Sequence, residues 1–252
     1  MADGFVGMKS LHKALNVLDL FTDHDSLGVT EIANLLGLNK SNVYNILITL
    51  KNKGYLEQDP RTERYHLGIE VFKLTRAISE HYRITRIAMP YMQEIANASN
   101  ERVYLAVPQG DEVLYLECMY PARIFHLMRT IAGERCKMYC SGLGKAILAN
   151  LPKEIMTDYA SRPKVKFTEN TLVDTQALLQ DLALTRLRGY AIDNMEHEFG
   201  VKCVALPIFD HNQQPCAALS VSGVTLDLAP DKAARLAIRM KCAIEQIQER
   251  LN

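Results

Sequence analysis

Ser220 and Ser222 stand two positions apart in a segment rich in strand-forming residues, and this spacing suits the binding of a small polar ligand. In a strand, residues two apart point to the same face of the sheet, so both hydroxyls are predicted to reach one ligand. A hydroxyl both donates and accepts hydrogen bonds. The pair therefore indicates a polar binding site on one face of a β-sheet.

A second set of hydrogen-bond donors is predicted where Ser141-Gly142-Leu143-Gly144 enters a helix. The first amides of a helix are free and carry partial positive charge, and small residues let an anion such as a carboxylate approach them. Asp193 accepts hydrogen bonds from hydroxyls or a protonated group of the ligand, and Cys203 is expected to line the wall. The predicted effector site comprises six residues: Ser141, Gly142, Asp193, Cys203, Ser220 and Ser222.

These six residues also have a purely structural interpretation. A serine before a helix caps it, strand serines bond to neighbouring strands, and a lone cysteine is a small buried apolar residue. Glu196, His197 and Glu198 follow Asp193 closely, where they either reach a polyhydroxylated ligand or form a solvated loop. Residue types alone leave these alternatives open.

Cysteine spacing offers a different chemistry. The six cysteines contain no C-x-x-C pair, which argues against a disulfide framework and against a zinc knuckle. The main prediction therefore includes no metal, no cofactor and no catalytic residue. The alternative is a cysteine- or zinc-containing sensor or enzyme without DNA binding, because zinc takes tetrahedral sulfur and nitrogen ligands. Its candidate ligands are Cys136, Cys140, Cys203 and His126.

Polar and basic residues at the start of the third predicted helix have the types that read DNA. The second helix of a helix-turn-helix enters the major groove and exposes such residues near its N-terminus. Asn45 can form a bidentate bond with an adenine edge, and a cation on a projecting hairpin can reach phosphates or the minor groove. The predicted DNA contacts are Lys40, Ser41, Asn42, Tyr44, Asn45, Arg61 and Arg64.

The elements predicted over residues 1–75 follow the order of a winged helix-turn-helix. A first helix is expected to bury one stripe at helical spacing: Leu11, Ala14, Leu15, Leu18 and Phe21. Thr30 is expected to cap a second helix that ends at Gly37, which tolerates positive φ. A third helix follows, and short strands at 55–57 and 65–67 flank a polar turn. This hairpin would be the wing.

The remaining residues predict a helical linker and an α+β sensor domain. Residues 76–98 form the linker, with a break near 81–83, and residues 99–252 form the effector-binding domain. Strands are predicted at 103–107, 113–120, 124–130, 190–194, 203–209 and 216–223. Helices are predicted at 142–150, 175–187 and 230–251. The strands begin as an antiparallel hairpin, so an antiparallel sheet flanked by helices is expected.

Composition sets limits on these predictions. A chain of 252 residues with 48% hydrophobic and 23% charged residues is long enough for two globular domains. Lys plus Arg equals Asp plus Glu at 29 each, so the case for DNA rests on the local motif rather than on net charge. The sequence shows neither a signal peptide nor an apolar run long enough to span a membrane, which predicts a cytoplasmic protein without a membrane partner.

Taken in order, these segments resemble the isocitrate-lyase-regulator (IclR) family of bacterial transcription regulators over nearly the whole chain. The matching segments are residues 11–15, 30–33, 40–44, 54–56, 65–68, 141–146, 189–193, 200–207 and 217–223. The resemblance implies a GAF-like or PAS-like effector domain, a homodimer or homotetramer, and control of catabolic genes by small organic acids. It also places the six predicted effector residues around the ligand, which favours the binding interpretation.

Two positions depart from the family pattern. The family often has Arg where this chain has Asn45, and Thr where it has Asn42. The predicted function is a sequence-specific DNA-binding regulator, a repressor of catabolic genes that binds a palindrome-like operator in double-stranded DNA. Its predicted effector is a small carboxylate such as a sugar acid or a 2-oxo acid. A sensor that binds ligand and protein partners without DNA is the further alternative.

Overall fold

A computed structural model describes residues 7–81, 83–123, 131–223 and 226–251 of the chain. These residues divide into two compact units, over residues 1–81 and 82–252. The strand predicted at 124–130, and with it His126, lies outside the described residues. No helix among the described residues is long and apolar enough to cross a membrane.

The first unit is a winged helix-turn-helix. It contains α1 (Lys9–Asp19) with a short 3-10 turn (Leu20–Thr22), α2 (Val29–Leu36), α3 (Lys40–Asn52), β1 (Leu56–Gln58), β2 (Tyr65–Leu67) and α4 (Val71–His81). Its core joins α1, α2, α3 and the hairpin through Val17, Ile32, Val43, Leu47 and Tyr65, all fully or almost fully buried. Gly37 takes a φ of 63° after α2, as the helix-ending turn requires.

Two details of this unit differ from the sequence predictions. Leu11 and Leu15 are 55% and 51% exposed, because α1 turns Val17 to the core instead. Phe21, also part of the predicted stripe, is buried in the 3-10 turn after α1. Thr30 does not cap α2, since the helix begins earlier at Val29. The amide of Gly28 donates to Glu31 Oε2 at 2.7 Å, so a carboxylate inside the first turn closes this end of the helix.

The second unit is an antiparallel sheet between helical layers. Its elements are α5 (Arg83–Ser99), β3 (Arg102–Gln109), β4 (Glu112–Met119), β5 (Arg135–Lys137), a 3-10 turn (Met138–Cys140), α6 (Gly142–Leu148), α7 (Lys153–Ser161), α8 (Thr175–Arg188), β6 (Ala191–Asn194), β7 (Lys202–Phe209), β8 (Pro215–Gly223) and α9 (Pro230–Leu251). The strand order is β5-β4-β3-β8-β7-β6, and every pairing is antiparallel. The predicted α+β class and the helix-flanked antiparallel sheet are confirmed.

Alternation along the strands separates the two faces of this sheet. On β7, Val204, Leu206 and Ile208 join the core formed with α5 and α9. Cys203 and Ala205 point to the opposite face, where α6 packs. Burying an aliphatic side chain contributes about 1.5–3 kcal/mol, so both faces stabilise the sheet. The polar residues of the predicted effector site share the α6 face.

The linker predicted over residues 76–98 covers the end of α4 and nearly all of α5. α5 buries Ile84, Ala88, Met92 and Ile95 in the core beneath the sheet. This helix is therefore part of the second unit, and the change from one helix to the next falls where the sequence predicts a break.

Candidate functional site

The start of α3 exposes the side chains predicted to contact DNA. Lys40, Ser41, Asn42, Tyr44 and Asn45 are all exposed. Between them, the buried side chain of Val43 anchors the helix in the core, so the exposed residues are held on a rigid element. This surface has the residue types and the position of a recognition helix.

The two arginines of the hairpin differ in their surroundings. Arg61 is exposed, and its backbone amide donates to Asp59 Oδ1. The guanidinium of Arg64 donates to the carbonyl oxygen of Ser26 at 2.7 Å and forms a 3.0 Å ion pair with Glu31. Arg64 therefore fastens the hairpin to the start of α2, and Arg61 is the better placed of the two for a phosphate.

A row of four residues crosses the sheet on its α6 face. The strand registers pair Arg102 on β3 with Ser222 on β8, Ser222 with Cys203 on β7, and Cys203 with Asp193 on β6. Directly paired residues project from the same face, so these four side chains lie side by side. Three of them were predicted as effector residues, whereas Arg102 was not.

A cavity of about 210 Å³ lies over this row. All six predicted effector residues line it, which brings together residues from α6, β6, β7 and β8. Several residues that the sequence analysis did not assign to the site also line it: Arg102, Tyr104, Tyr115, Leu143 and Val201. The cavity is therefore a built polar pocket with aromatic and apolar walls, the usual composition of a small-molecule site.

Ser141 and Gly142 have structural roles at the edge of this cavity. Ser141 Oγ accepts from the amide of Gly144 and donates to the carbonyl oxygen of Lys137, both at 3.1 Å. A Cβ on Gly142 would stand 2.5 Å from Cys203 Sγ, so only glycine lets α6 approach β7 this closely. Ser141 therefore caps α6, and it also lines the cavity.

Ser220 differs from Ser141 because its hydroxyl is uncommitted. Its side chain is buried, and Ser220 Oγ has no hydrogen-bond partner among the described residues. An unsatisfied buried hydroxyl costs about 1–3 kcal/mol. A ligand or water in the cavity would remove that cost.

The cavity wall carries charged groups of both signs, with Arg102 and Arg135 beside Glu134, Asp193 and Glu198. Arg102 is half-buried, and its Nη1 lies 3.3 Å from Tyr104 Oη. Burial raises the pKa of Asp193 to about 7, against the effect of its hydrogen bond from the amide of Glu196. Near neutral pH this carboxyl is partly protonated and can itself donate. The wall thus offers a ligand cationic groups, hydroxyls and a partly protonated carboxyl, beside the two glutamates.

A buried ion cluster lies behind the cavity wall. Lys145, which is fully buried, places Nζ 2.5 Å from Glu196 Oε1 and 2.9 Å from Asp181 Oδ2. Burial opposes the charge of Lys145, but the two carboxylates outweigh it and raise the pKa of this lysine. The cluster ties α6 and α8 to the loop after β6.

Two cysteines and a histidine meet beside this loop. Cys136, Cys140 and His197 each place a ligand atom within 4.8 Å of the other two. Hydrogen bonds with Cys140 and His197 hold the pKa of the Cys136 thiol below its usual range. Burial raises the pKa of Cys203 to about 12, which keeps that thiol protonated. Sequence analysis grouped Cys136 and Cys140 with Cys203 and His126. Among the described residues the group contains His197 and not Cys203, because only the fold brings the loop after β6 to β5.

An exposed helix of the recognition type on one unit and a polar cavity in the other are the features expected of a DNA-binding regulator with an effector domain. Residues 10–60 match the IclR helix-turn-helix domain, and residues 76–249 match the C-terminal domain of the bacterial transcriptional regulator IclR. The chain therefore belongs to the IclR family of transcription regulators.

Individual family members are similar over almost the whole chain. The regulator BhcR of Paracoccus denitrificans is 34% identical and covers 96% of this chain and 86% of its own. The transcriptional repressor IclR of Escherichia coli is 32% identical, covering 94% and 88%. An IclR homologue from Microbacterium hydrocarbonoxydans, crystallised with 4-hydroxybenzoate, has the same fold, with a TM-score of 0.83, 24% identity and 96% and 99% coverage. The curated relatives are named as regulators, in agreement with the prediction that this protein is not an enzyme.

Proposed function

We propose that this regulator represses catabolic genes in the cytoplasm and that a small organic acid, such as a sugar acid or a 2-oxo acid, controls its hold on the operator. The row from Arg102 to Asp193 is the observation that carries the proposal, because it places a cation and hydrogen-bonding groups in one cavity. The naming of an E. coli relative as a repressor supports the direction of control.

The size of the cavity supports a small ligand. About 210 Å³ is less than the roughly 300–1,000 Å³ of sites that hold drug-sized molecules. An acid of a few heavy atoms fits that space, with its carboxylate at Arg102 and its remaining oxygens near Ser220 and Ser222. The homologue crystallised with 4-hydroxybenzoate, itself an organic acid, supports the same class of ligand.

The exposed start of α3 supports direct reading of double-stranded DNA. Asn45 suits an adenine edge, while Lys40 and Ser41 suit phosphates near the helix N-terminus. Arg61 reaches the backbone from the wing. Of the other predicted contacts, Asn42 and Tyr44 lie on the same exposed start of α3, whereas Arg64 is limited by its ion pair to Glu31.

An apolar stripe on α1 supports a homodimer. Met8, Leu11 and Leu15 follow each other at helical spacing and are more than half exposed. A stripe of this kind on a soluble helix is expected to pack against a second chain. Pairing of two first units presents two recognition helices to a palindrome-like operator, with half-sites about one helical turn, roughly 34 Å, apart. A homotetramer would add contacts between effector domains.

Effector binding controls DNA affinity only if the ligand prefers one arrangement of the dimer. In the proposed mechanism, the acid stabilises one pairing of effector domains, and residues 76–98 pass this preference to the DNA-binding units. The spacing of the two recognition helices then changes, and operator affinity changes with it.

Footprinting with the DNA that flanks the protein's own gene tests this function. We expect protection of a palindrome-like site at low salt, and loss or strengthening of protection with the acid that binds. The acid is found by thermal-shift screening of sugar acids and 2-oxo acids, since a ligand of the folded state raises its stability. Absence of protection at low salt would contradict DNA reading, and an acid that binds without changing protection would contradict control by that acid.

A further inference from the structure

Cys136, Cys140 and His197 bring three metal-binding atoms together beside the effector cavity. One atom from each residue lies within 4.8 Å of the other two, and Cys140 Sγ stands 3.8 Å from His197 Nδ1. Around a tetrahedral zinc ion, with bonds of about 2.3 Å to sulfur and about 2.0–2.1 Å to nitrogen, neighbouring ligands stand about 3.5–3.8 Å apart. Only a small contraction of the group is needed to reach that spacing.

Different elements fix the three side chains. Cys136 is the middle residue of β5 and pairs with Val113 on β4, while Cys140 ends the 3-10 turn that leads into α6. The ring of His197 packs edge-on against Phe167, with centroids 5.1 Å apart. Both cysteines are buried and the histidine is exposed. The ligands are thus held close together, and an ion has a route in from solvent.

The position of the group relative to the cavity decides what it can do. Cys136 and His197 line the cavity, whereas Cys140 is not among its lining residues. Three protein ligands with an open fourth position are typical of zinc sites that bind an exchangeable ligand, and closed structural sites use four. A sulfur, sulfur and nitrogen set favours zinc over magnesium or calcium, which prefer oxygen ligands.

We propose that Cys136, Cys140 and His197 bind one zinc ion whose fourth position faces the effector cavity and takes water or an oxygen of the acid. The inference rests on the proposed role of that cavity as the effector site. On binding, each thiol loses its proton to solvent and becomes a thiolate, and the histidine binds through a neutral nitrogen. The charge of the ion is balanced by two thiolates, and no electron is transferred.

Zinc binding is tested on the full chain, purified with a reductant and a chelator and then given zinc. Metal analysis after gel filtration is expected to find one zinc ion per chain. Loss of an outer-shell partner alone weakens metal binding about 10–100-fold, so Cys136→Ser and His197→Gln are expected to weaken it at least about tenfold. Cys242→Ser is the matched control, because that thiol is exposed on α9, away from the group. Circular dichroism checks that each variant folds, and His197, being exposed, is the safer of the two changes.

Cobalt in place of zinc reports the ligands and the open position. A thiolate-to-cobalt charge-transfer band and strong visible bands are expected from a tetrahedral site with two sulfurs. Pyruvate, added as a small 2-oxo acid, and acetate, added as a simple carboxylate, are expected to shift the visible bands. Substoichiometric metal, binding untouched by both variants, or a spectrum without the sulfur band would overturn the site. Metal that binds while neither acid shifts the bands would overturn the open position.

Operator footprinting on the same samples separates this inference from the proposed function. Wild-type protein and His197→Gln are both expected to protect the operator without effector, since the group lies outside the DNA-binding unit. A wild-type protein that binds zinc but protects no DNA would contradict the proposed function and leave the metal site standing.

Discussion

Lys145 Nζ lies 2.5 Å from Glu196 Oε1, and both side chains are buried directly behind the loop that carries His197. The same ammonium lies 2.9 Å from Asp181 Oδ2. One cation thus faces two carboxylates. Asp181 is partly exposed and also lies 3.7 Å from Arg188, so removing Lys145 leaves chiefly the buried charge of Glu196 without compensation. This pair holds the loop between β6 and β7 against α6.

Lys145→Met is expected to destabilise the protein by about 3–5 kcal/mol, because breaking a buried pair leaves uncompensated charge. Urea unfolding measures the change. The double variant Lys145→Met with Glu196→Gln is expected to recover part of the loss, since it removes the buried charge that the single change leaves unpaired. If the double variant were as unstable as the sum of the two single changes, the ion pair would not be the source of the effect.

The contact between Glu31, Gly28 and Arg64 predicts an acid-sensitive first unit. The amide of Gly28, followed by Arg64, holds the pKa of Glu31 below its usual range. A lowered folded-state pKa contributes stability above the unfolded pKa, and that contribution is lost as pH falls through the folded value. We expect wild type to exceed Glu31→Gln in urea midpoint at pH 6, and the difference to close below pH 4. An unchanged difference at pH 3 would contradict this account.

Substitutions on α3 and the wing separate base reading from phosphate contact. Asn45→Ala is expected to relax base preference at one operator position, with a cost of about 1–3 kcal/mol for the preferred base. Arg61→Ala is expected to weaken binding to all DNA sequences alike. It is also expected to reduce the salt dependence of binding by about one phosphate contact. Titration of operator variants at several salt concentrations measures both. If Asn45→Ala weakened binding to every DNA sequence equally, Asn45 would not contribute to base recognition.

The residues of the cavity predict variants that lose effector binding but retain DNA binding. Arg102→Gln and Ser220→Ala are expected to weaken acid binding at least about tenfold, since hydrogen bonds to charged groups contribute about 1.5–3 kcal/mol. Asp193→Ala should weaken the response as well. Calorimetry gives the acid affinity and footprinting the operator affinity, with Arg239→Gln on the exposed side of α9 as the control. Acid affinity unchanged in Arg102→Gln would place the carboxylate elsewhere.

The exposed stripe of α1 predicts that a charge there separates the dimer. Leu15→Glu is expected to shift sedimentation towards monomer and to lower operator affinity, because an apolar interface does not accept an unpaired carboxylate. Leu187→Glu is the control, since that leucine is 84% exposed on α8. Sedimentation identical to wild type for Leu15→Glu would show that α1 lies outside the interface.

Local patterns predicted most elements of this fold, because periodicity and turn residues act over short distances. The wing, Gly37 and most strands and helices of the sensor domain follow from such signals, whereas β5 and α7 were not predicted. The stripe of α1 shows their limit. A helical period marks apolar positions without telling which partner covers them, and here Val17 faces the core while Leu11 and Leu15 stay exposed.

The effector site could be predicted only in part, for a similar reason. Ser220 and Ser222 are recognisable as a pair because one strand places them together. Arg102 joins them only through the register of β3 against β8, and His197 joins Cys136 only through the return of the loop after β6. Neither relationship has a local signal in the sequence.

The pairing of Arg102 with Ser222 affects the order in which a newly synthesised chain becomes able to bind DNA and to bind its effector. Nearly half of the chain separates the two residues, whereas the contacts of the winged helix all fall within the first 81 residues. At a synthesis rate of about 5–20 residues per second, β8 emerges on the order of ten seconds after β3. The DNA-binding unit is therefore able to fold first. Each nascent chain then passes through a period in which its DNA-binding unit is complete and its effector cavity is not.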